Sequence, residues 1–290
     1  MSIFIIPRNN DFMIRLNKTT LLFCFILFFH VGNTQNLFNT ENLKKFAAYL
    51  QNTRQYDLAA SEYERILSIT PYDVTVYPEL LTAYRLGNNC QNSFQTLETL
   101  KVNRFFENSP VASEYLKLTL TCNCCYEKPL FTEALSSLDA TERAFYQLGH
   151  YIFSKKEDAL ISFTSSNADI LNNNFPDIFS NALDIQMMKE KSPFVAASMS
   201  AIIPGSGKAY SGYWGDAVMS LLFVSTNAWL SYQGFKKKGV KSITGWIFGS
   251  ISFGFYTGNI WGSAKAAKNR NTAAYNKLYN EAKNNYYKRF

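Results

Sequence analysis

At 290 residues, 47% hydrophobic and 18% charged, the chain has room for one or two domains plus processing segments. Its net charge of +7 is unevenly held: residues 193–290 carry 12 Lys+Arg against 2 Asp+Glu, whereas residues 36–192 carry 14 against 19. The basic excess lies beside apolar stretches, where anionic lipid headgroups are a nearer partner than nucleic acid, so no nucleic-acid partner is expected.

The first element is an export signal over 1–35. Arg15 and Lys18 precede the nine-residue apolar run Leu21–Phe29, and polar Gly32-Asn33-Thr34-Gln35 follows. A basic start, a short apolar core and a small or polar exit are the three parts of a secretory signal. Residues 1–12 fit none of them, which makes Met13 a candidate start, and the mature chain is expected to begin near Gln35 or Asn36. The alternative is an uncleaved anchor, because the apolar window extends through Val31.

Residues 36–170 read as paired helices, so the expected fold class is all-α. Leu43, Phe46, Ala47 and Leu50 fall on a first helix, and Tyr56, Ala59, Tyr63 and Ile66 on a turn and second helix before Pro71. This stretch resembles a tetratricopeptide repeat, a helix–turn–helix unit of 34 residues. One period on stand Tyr77, Leu80, Leu81 and Tyr84, then Ser93, Leu97 and Leu100, with Gly87-Asn88-Asn89 as the turn. Phe145, Leu148, Gly149 and Ile152 echo the first helix once more. The resemblance implies a short solenoid of stacked helix pairs whose concavity binds a protein or peptide. Tyr63, Tyr77 and Tyr84 are the candidate partner contacts, since aromatics are favoured at binding hot spots. An irregular helical domain with the same patterning is the alternative.

Cys24 lies in the signal, leaving Cys90, Cys122, Cys124 and Cys125. In an oxidising compartment a disulfide joins Cys90 to Cys122, Cys124 or Cys125; free thiols are the alternative. A metal site is not expected, because the cluster lacks zinc-ligand spacing and His150 is the only mature histidine. Residues 171–192 read as a linker helix after the break at Asn172–Pro176.

Residues 193–264 form the C-terminal module. Phe194–Ile203 is an apolar run too short to cross a bilayer, and Pro204 and Gly205 end it, so 194–204 is read as a re-entrant or interfacial helix. Two uncharged spans follow, 217–235 and 242–264, with Lys236, Lys237, Lys238 and Lys241 between them, the pattern of a transmembrane hairpin. The signature Pro204, Gly205, Gly207, Tyr210 and Gly212, with the closing stretch Phe255–Gly262, resembles a family of small bacterial two-helix membrane domains. Such domains often follow helical repeats in Bacteroidetes-like proteins; the resemblance implies an architecture and no defined activity. Gly205-Ser206-Gly207-Lys208 is not a Walker loop, because Ile202 and Ala209 stand where glycine and Ser/Thr are required. Gly254, Gly258 and Gly262 make a small-residue stripe for helix packing, within the hairpin or between copies in a homo-oligomer. Asn227 and Asn259 read as hydrogen-bonding residues between helices. The tail, 265–290, is a basic amphipathic helix suited to an anionic membrane face.

No nucleophile elbow, metal-binding histidine pair or nucleotide loop occurs, so no catalytic, cofactor or metal residue is assigned and the chain is not read as an enzyme. The expected function is a membrane-anchored scaffold, in a bacterial inner membrane with its repeats in the periplasm, that contacts lipid and binds an envelope protein or peptide. The alternative is an accessory factor in membrane or envelope biogenesis or transport that acts through the hairpin.

Overall fold

The computed structural model describes residues 39–124 and 129–290, apart from the Asn92 side chain. The export signal, its Met13 start, its cleavage point and Cys125 lie outside the described residues. Among the described residues there is no strand. The helices are α1 (Thr40–Asn52), α2 (Tyr56–Ile69), α3 (Val76–Leu86), α4 (Cys90–Thr99), α5 (Ser109–Cys122), α6 (Pro129–Ser136), α7 (Ala140–Phe153), α8 (Glu157–Ser166), α9 (Ala168–Asn174) and α10 (Pro176–Gln186). The C-terminal module adds α11 (Pro193–Ile202), α12 (Ser206–Tyr210), α13 (Trp214–Lys238) and α14 (Ile243–Tyr287).

Local chemistry sets many of these boundaries. The Asn39 side chain accepts from the Glu41 amide at 3.1 Å, and Asp139 accepts from the Thr141 and Glu142 amides at 2.7 and 2.8 Å, so α1 and α7 start with filled caps. Proline opens α10 and α11, where the missing N–H costs nothing. Asn88 takes a left-handed conformation between α3 and α4, as the Gly87-Asn88-Asn89 turn requires.

The helices up to α8 stack in succession, and side-chain bonds between them join positions 32 or 33 residues apart, consistent with a helical repeat. Thr82 donates to Glu114, 32 residues on; Ser113 and Tyr146 share a 2.5 Å hydrogen bond 33 residues apart; Ser109 donates to Glu142, again 33 apart. The disulfide Cys90–Cys122 spans 32 residues and ties α4 to the end of α5. Equivalent positions of similar units meet when the units stack. Of the three partners open to Cys90, the bond goes to Cys122. The inward face of the pairs is filled by Ile66, Leu80, Leu97, Leu116 and Leu148, all fully buried. Between α3 and α5, Glu114 takes Arg85 at 3.1 Å and Lys117 at 2.6 Å, with all three side chains largely buried.

Two sequence-derived boundaries are corrected. Residues 171–192 are not a linker: α10 packs on α8 and α14 and buries Ile178, Ala182 and Ile185 in the core of the array. Nor is the tail a separate helix. It continues α14, which runs unbroken for 45 residues, about 67 Å at 1.5 Å per residue. Its end enters the array: Ala282 and Tyr286 are fully buried, the Tyr286 hydroxyl donates to the Phe145 carbonyl at 2.9 Å, and Arg289 pairs with Asp177 at 2.7 Å. The aromatic stripe faces protein because Phe145, Phe153 and Phe175 supply a matching apolar face.

The expected spans are both helical, but among the described residues no helix is long and apolar enough to cross a membrane. At 25 and 45 residues, length is not what they lack. Ser225, Thr226, Asn227, Ser231 and Gln233 dilute the first span, and serine, threonine and glycine dilute the second.

Candidate ligand pocket in the C-terminal module

The signature residues of the module are explained by close packing. At Gly205 the backbone is left-handed, and a Cβ there would run into the carbonyl of Ala217 at the start of α13. A Cβ on Gly207 would run into the Ala196 carbonyl of α11, and the Gly207 amide donates to the Ser200 hydroxyl at 2.9 Å. Pro204 ends α11, and Gly212 is left-handed beside Arg270. The Tyr210 hydroxyl accepts from the Ser192 amide at 3.4 Å, and the Lys191 ammonium lies 4.5 Å from the Tyr210 ring. Asn271 of α14 completes that anchor, accepting from the Lys191 amide at 2.9 Å and donating to its carbonyl at 3.0 Å.

Polarity in the module is inverted relative to the array. Its interior is small and polar: Ser200, Ser231, Ser252, Asn259 and Ser263 are buried. Serines make the bonds between helices. Ser231 donates to the Gly245 carbonyl at 2.8 Å, Ser252 to the Val224 carbonyl at 3.0 Å, and Ser200 and Ser263 share a bond of 2.7 Å. Its outside is large and apolar, with Leu222, Phe223, Ile247, Phe253 and Phe255 among many exposed side chains.

The glycine stripe has another role than the one its spacing suggests. A Cβ at Gly254 or Gly258 would meet nothing within 4 Å, and one at Gly262 would meet only the Lys208 side chain. The close approach between α13 and α14 lies instead at Gly234 and Gly245, where a Cβ on Gly234 would come 2.7 Å from the Gly245 nitrogen. Asn227 donates within its own helix, to the Phe223 carbonyl at 2.7 Å.

Gly254 and Gly258 are bare because they wall a cavity of about 290 Å³ between α12, α13 and α14. Its mouth carries Asp216, exposed, and Lys208, whose ammonium donates to Ser220 at 2.8 Å. Its floor carries Asn259, only 4% exposed, with neither amide atom hydrogen-bonded. Its apolar side is buried Val224 with the exposed rings of Phe223 and Phe255, stacked at 5.3 Å. The pocket is therefore charged at one end and apolar at the other. Sequence reasoning rejected Lys208 as a phosphate-loop lysine and placed Asn259 between helices; Asp216 carried no signal beyond being the single acid of the module.

The three tyrosines expected to contact a partner are core residues. Tyr63, Tyr77 and Tyr84 are each at most 2% exposed, and the hydroxyls of the last two are spent on the Pro71 carbonyl at 2.9 Å and Glu64 at 2.5 Å. Burial first, then the Glu79 carboxylate, pushes Tyr63 up to about 12. His150 is buried against Phe131 in the core. Cys124 lies beside the array core. Among the described residues no three His, Cys, Asp or Glu side chains gather to hold a metal ion.

No family model matches the chain, and no curated protein or solved structure is similar enough to match it.

Proposed function

We propose that the chain is a membrane-seated scaffold: α11–α13 and the first half of α14 sit in lipid, and the helical array is held beside the membrane by the end of α14. The observation that carries this reading is the inverted polarity of the module, since serines paired inside and phenylalanines outside suit a lipid solvent and not water. Exposed Trp214 and Trp261 mark one end of the apolar band, and Trp229, Tyr232 and Trp246 the other. The band between them is roughly 22–27 Å tall at 1.5 Å per residue. That is a few Å short of the typical hydrocarbon core of about 30 Å, a mismatch that local thinning accommodates.

The array supplies the binding part of this reading. Tyr286 takes up the Phe145 face of the array, and Tyr63, Tyr77 and Tyr84 are buried, so the partner surface falls to exposed Phe46, Tyr49 and Tyr72. An envelope protein or peptide is the partner class. Flotation of the full chain with phospholipid vesicles tests the membrane seat. Wild type is expected to float, and the double variant Leu222→Glu, Phe253→Glu, both exposed positions, to stay at the bottom. Equal flotation of the two would refute the reading.

A further inference from the structure

Lys208, Asp216 and Asn259 line one cavity between α12, α13 and α14. We infer that it is a headgroup site for one zwitterionic phospholipid carrying an amine and a phosphate, an inference that rests on the membrane seat above.

Three features select this ligand. First, Asn259 is buried with both amide atoms unpartnered, although a polar group buried without a hydrogen bond is costly and native proteins rarely leave one. It faces a cavity near the lower limit for small-molecule pockets, about 300 Å³. Both amide atoms are covered in the unliganded chain, so a headgroup that seats on Asn259 and displaces that cover would offer an oxygen to the N–H groups and a donor to the carbonyl. Second, the mouth holds one positive and one negative side chain, Lys208 and Asp216. A plain anion is opposed by Asp216 and a plain cation by Lys208, whereas a head with both charges satisfies both. The phosphate goes to the Lys208 ammonium, already oriented by Ser220, and the amine to Asp216. Third, the wall past the polar groups is Phe223, Val224, Gly254, Phe255 and Gly258, a surface for the first carbons of an acyl chain. The two exposed tryptophans of the headgroup end stand two residues from the polar groups, Trp214 from Asp216 and Trp261 from Asn259. The mouth thus lies at headgroup depth when the module is seated.

The test is native mass spectrometry of the full chain in neutral detergent. It is titrated with dioleoyl phosphatidylethanolamine, dioleoyl phosphatidylglycerol and water-soluble glycerophosphoethanolamine. Wild type is expected to retain one phosphatidylethanolamine per chain, with at least about tenfold preference over phosphatidylglycerol, the order of one charged hydrogen bond. Asp216→Asn should remove that preference, and Lys208→Met should weaken both lipids by about tenfold or more. Asn259→Leu should abolish retention while leaving the thermal midpoint unchanged or higher, because it replaces an unpaired amide by an isosteric apolar group. Equal retention of the two lipids by wild type, or a preference that survives Asp216→Asn, overturns the inference. Retention of the water-soluble head as tight as that of the lipid overturns the lipid assignment. Flotation without headgroup preference fails the pocket alone; loss of flotation fails the membrane seat, whatever the pocket binds.

Discussion

The ring of Tyr286 lies on the bare backbone of Gly149, so that a Cβ at position 149 would fall 3.0 Å from the tyrosine Cε1 and 2.9 Å from the Leu120 side chain. Glycine in mid-helix costs about 1 kcal/mol relative to alanine. Here it opens the socket into which the end of α14 locks, with Phe145 and Phe153 as the side walls. Asn285 donating to Asn181 and Arg289 paired with Asp177 hold the same end on α10. The array and the C-terminal module are thereby one mechanical unit.

Tyr286→Ala should destabilise the array by about 3–5 kcal/mol, the cost of truncating a buried aromatic. Gly149→Val should release the same helix end by filling the socket. Chemical denaturation of each variant measures the loss, and limited proteolysis should cut near Lys283 and Lys288 faster than in wild type. Unchanged stability and protection in both would show that the latch is dispensable.

Gly205→Ala and Gly207→Ala should each disrupt the module, because the added methyl meets a backbone carbonyl, which cannot rotate away as a side chain can. Gly215→Ala is the control: nothing lies within 4 Å of its Cβ, and a helical alanine is favoured by about 1 kcal/mol. Thermal unfolding in detergent should rank Gly215→Ala at or above wild type and the other two well below it.

Cys90→Ser should cost about 2–4 kcal/mol, the usual contribution of a disulfide closing a loop of this order. Reduction of wild type should reproduce the loss, and peptide mapping should recover Cys90 linked to Cys122. A cross-link to Cys124 instead would contradict the fold of α4 against α5.

Alkaline pH should unfold the array. Tyr63, Tyr84, Tyr146 and Tyr286 are all raised above the ordinary 10.0, in each case chiefly by burial. The folded state keeps protons that the unfolded chain gives up, so stability is complete below pH 10, where both states are protonated, and falls as pH rises past it. For Tyr63 the loss runs from 10.0 to about 12. Circular dichroism and phenolate absorbance should therefore change together in this window, and Tyr63→Phe should shift the midpoint upward. Tyrosine ionisation completed before any loss of helix would refute the assignment.

The proposed membrane seat predicts a topology that can be read directly. Tyr286 sits in the array, so tail and array share one side of the hairpin, and the turn Gly239–Lys241 lies at its far end. With single cysteines at Lys237 and Asn284 in a cysteine-free background, a membrane-impermeant thiol reagent should label position 284 in intact spheroplasts and position 237 only after lysis. Labelling of both, or the reverse order, would contradict a membrane-seated hairpin with an exported array.

Much of this molecule is written in short-range pattern. Apolar spacing in Leu43, Ala47, Leu50 and in Tyr77, Leu80, Tyr84 marks the helices that form, and the same residues fill the core. The two uncharged runs are both helical, and the Pro204–Gly212 signature is where α11, α12 and α13 meet most closely. These readings succeed because helix periodicity, capping and proline or glycine breaks act over a few residues. The same aromatics misled about binding, since a tyrosine stripe reads alike whether it meets a partner or the next helix pair.

By itself the sequence determined an all-α chain, its turns and its two apolar helices, each set by interactions within one or two helical turns. The tertiary structure alone decided that Cys90 pairs with Cys122, that α10 belongs to the core, and that the tail locks over Gly149. It also decided that Gly254 and Gly258 face a pocket floored by Asn259. The physical reason is distance along the chain. Tyr286 meets Phe145 across 141 residues and Asn285 meets Asn181 across 104, and at such separations the partner is chosen by how packed helices bring surfaces together, which leaves no local pattern to read.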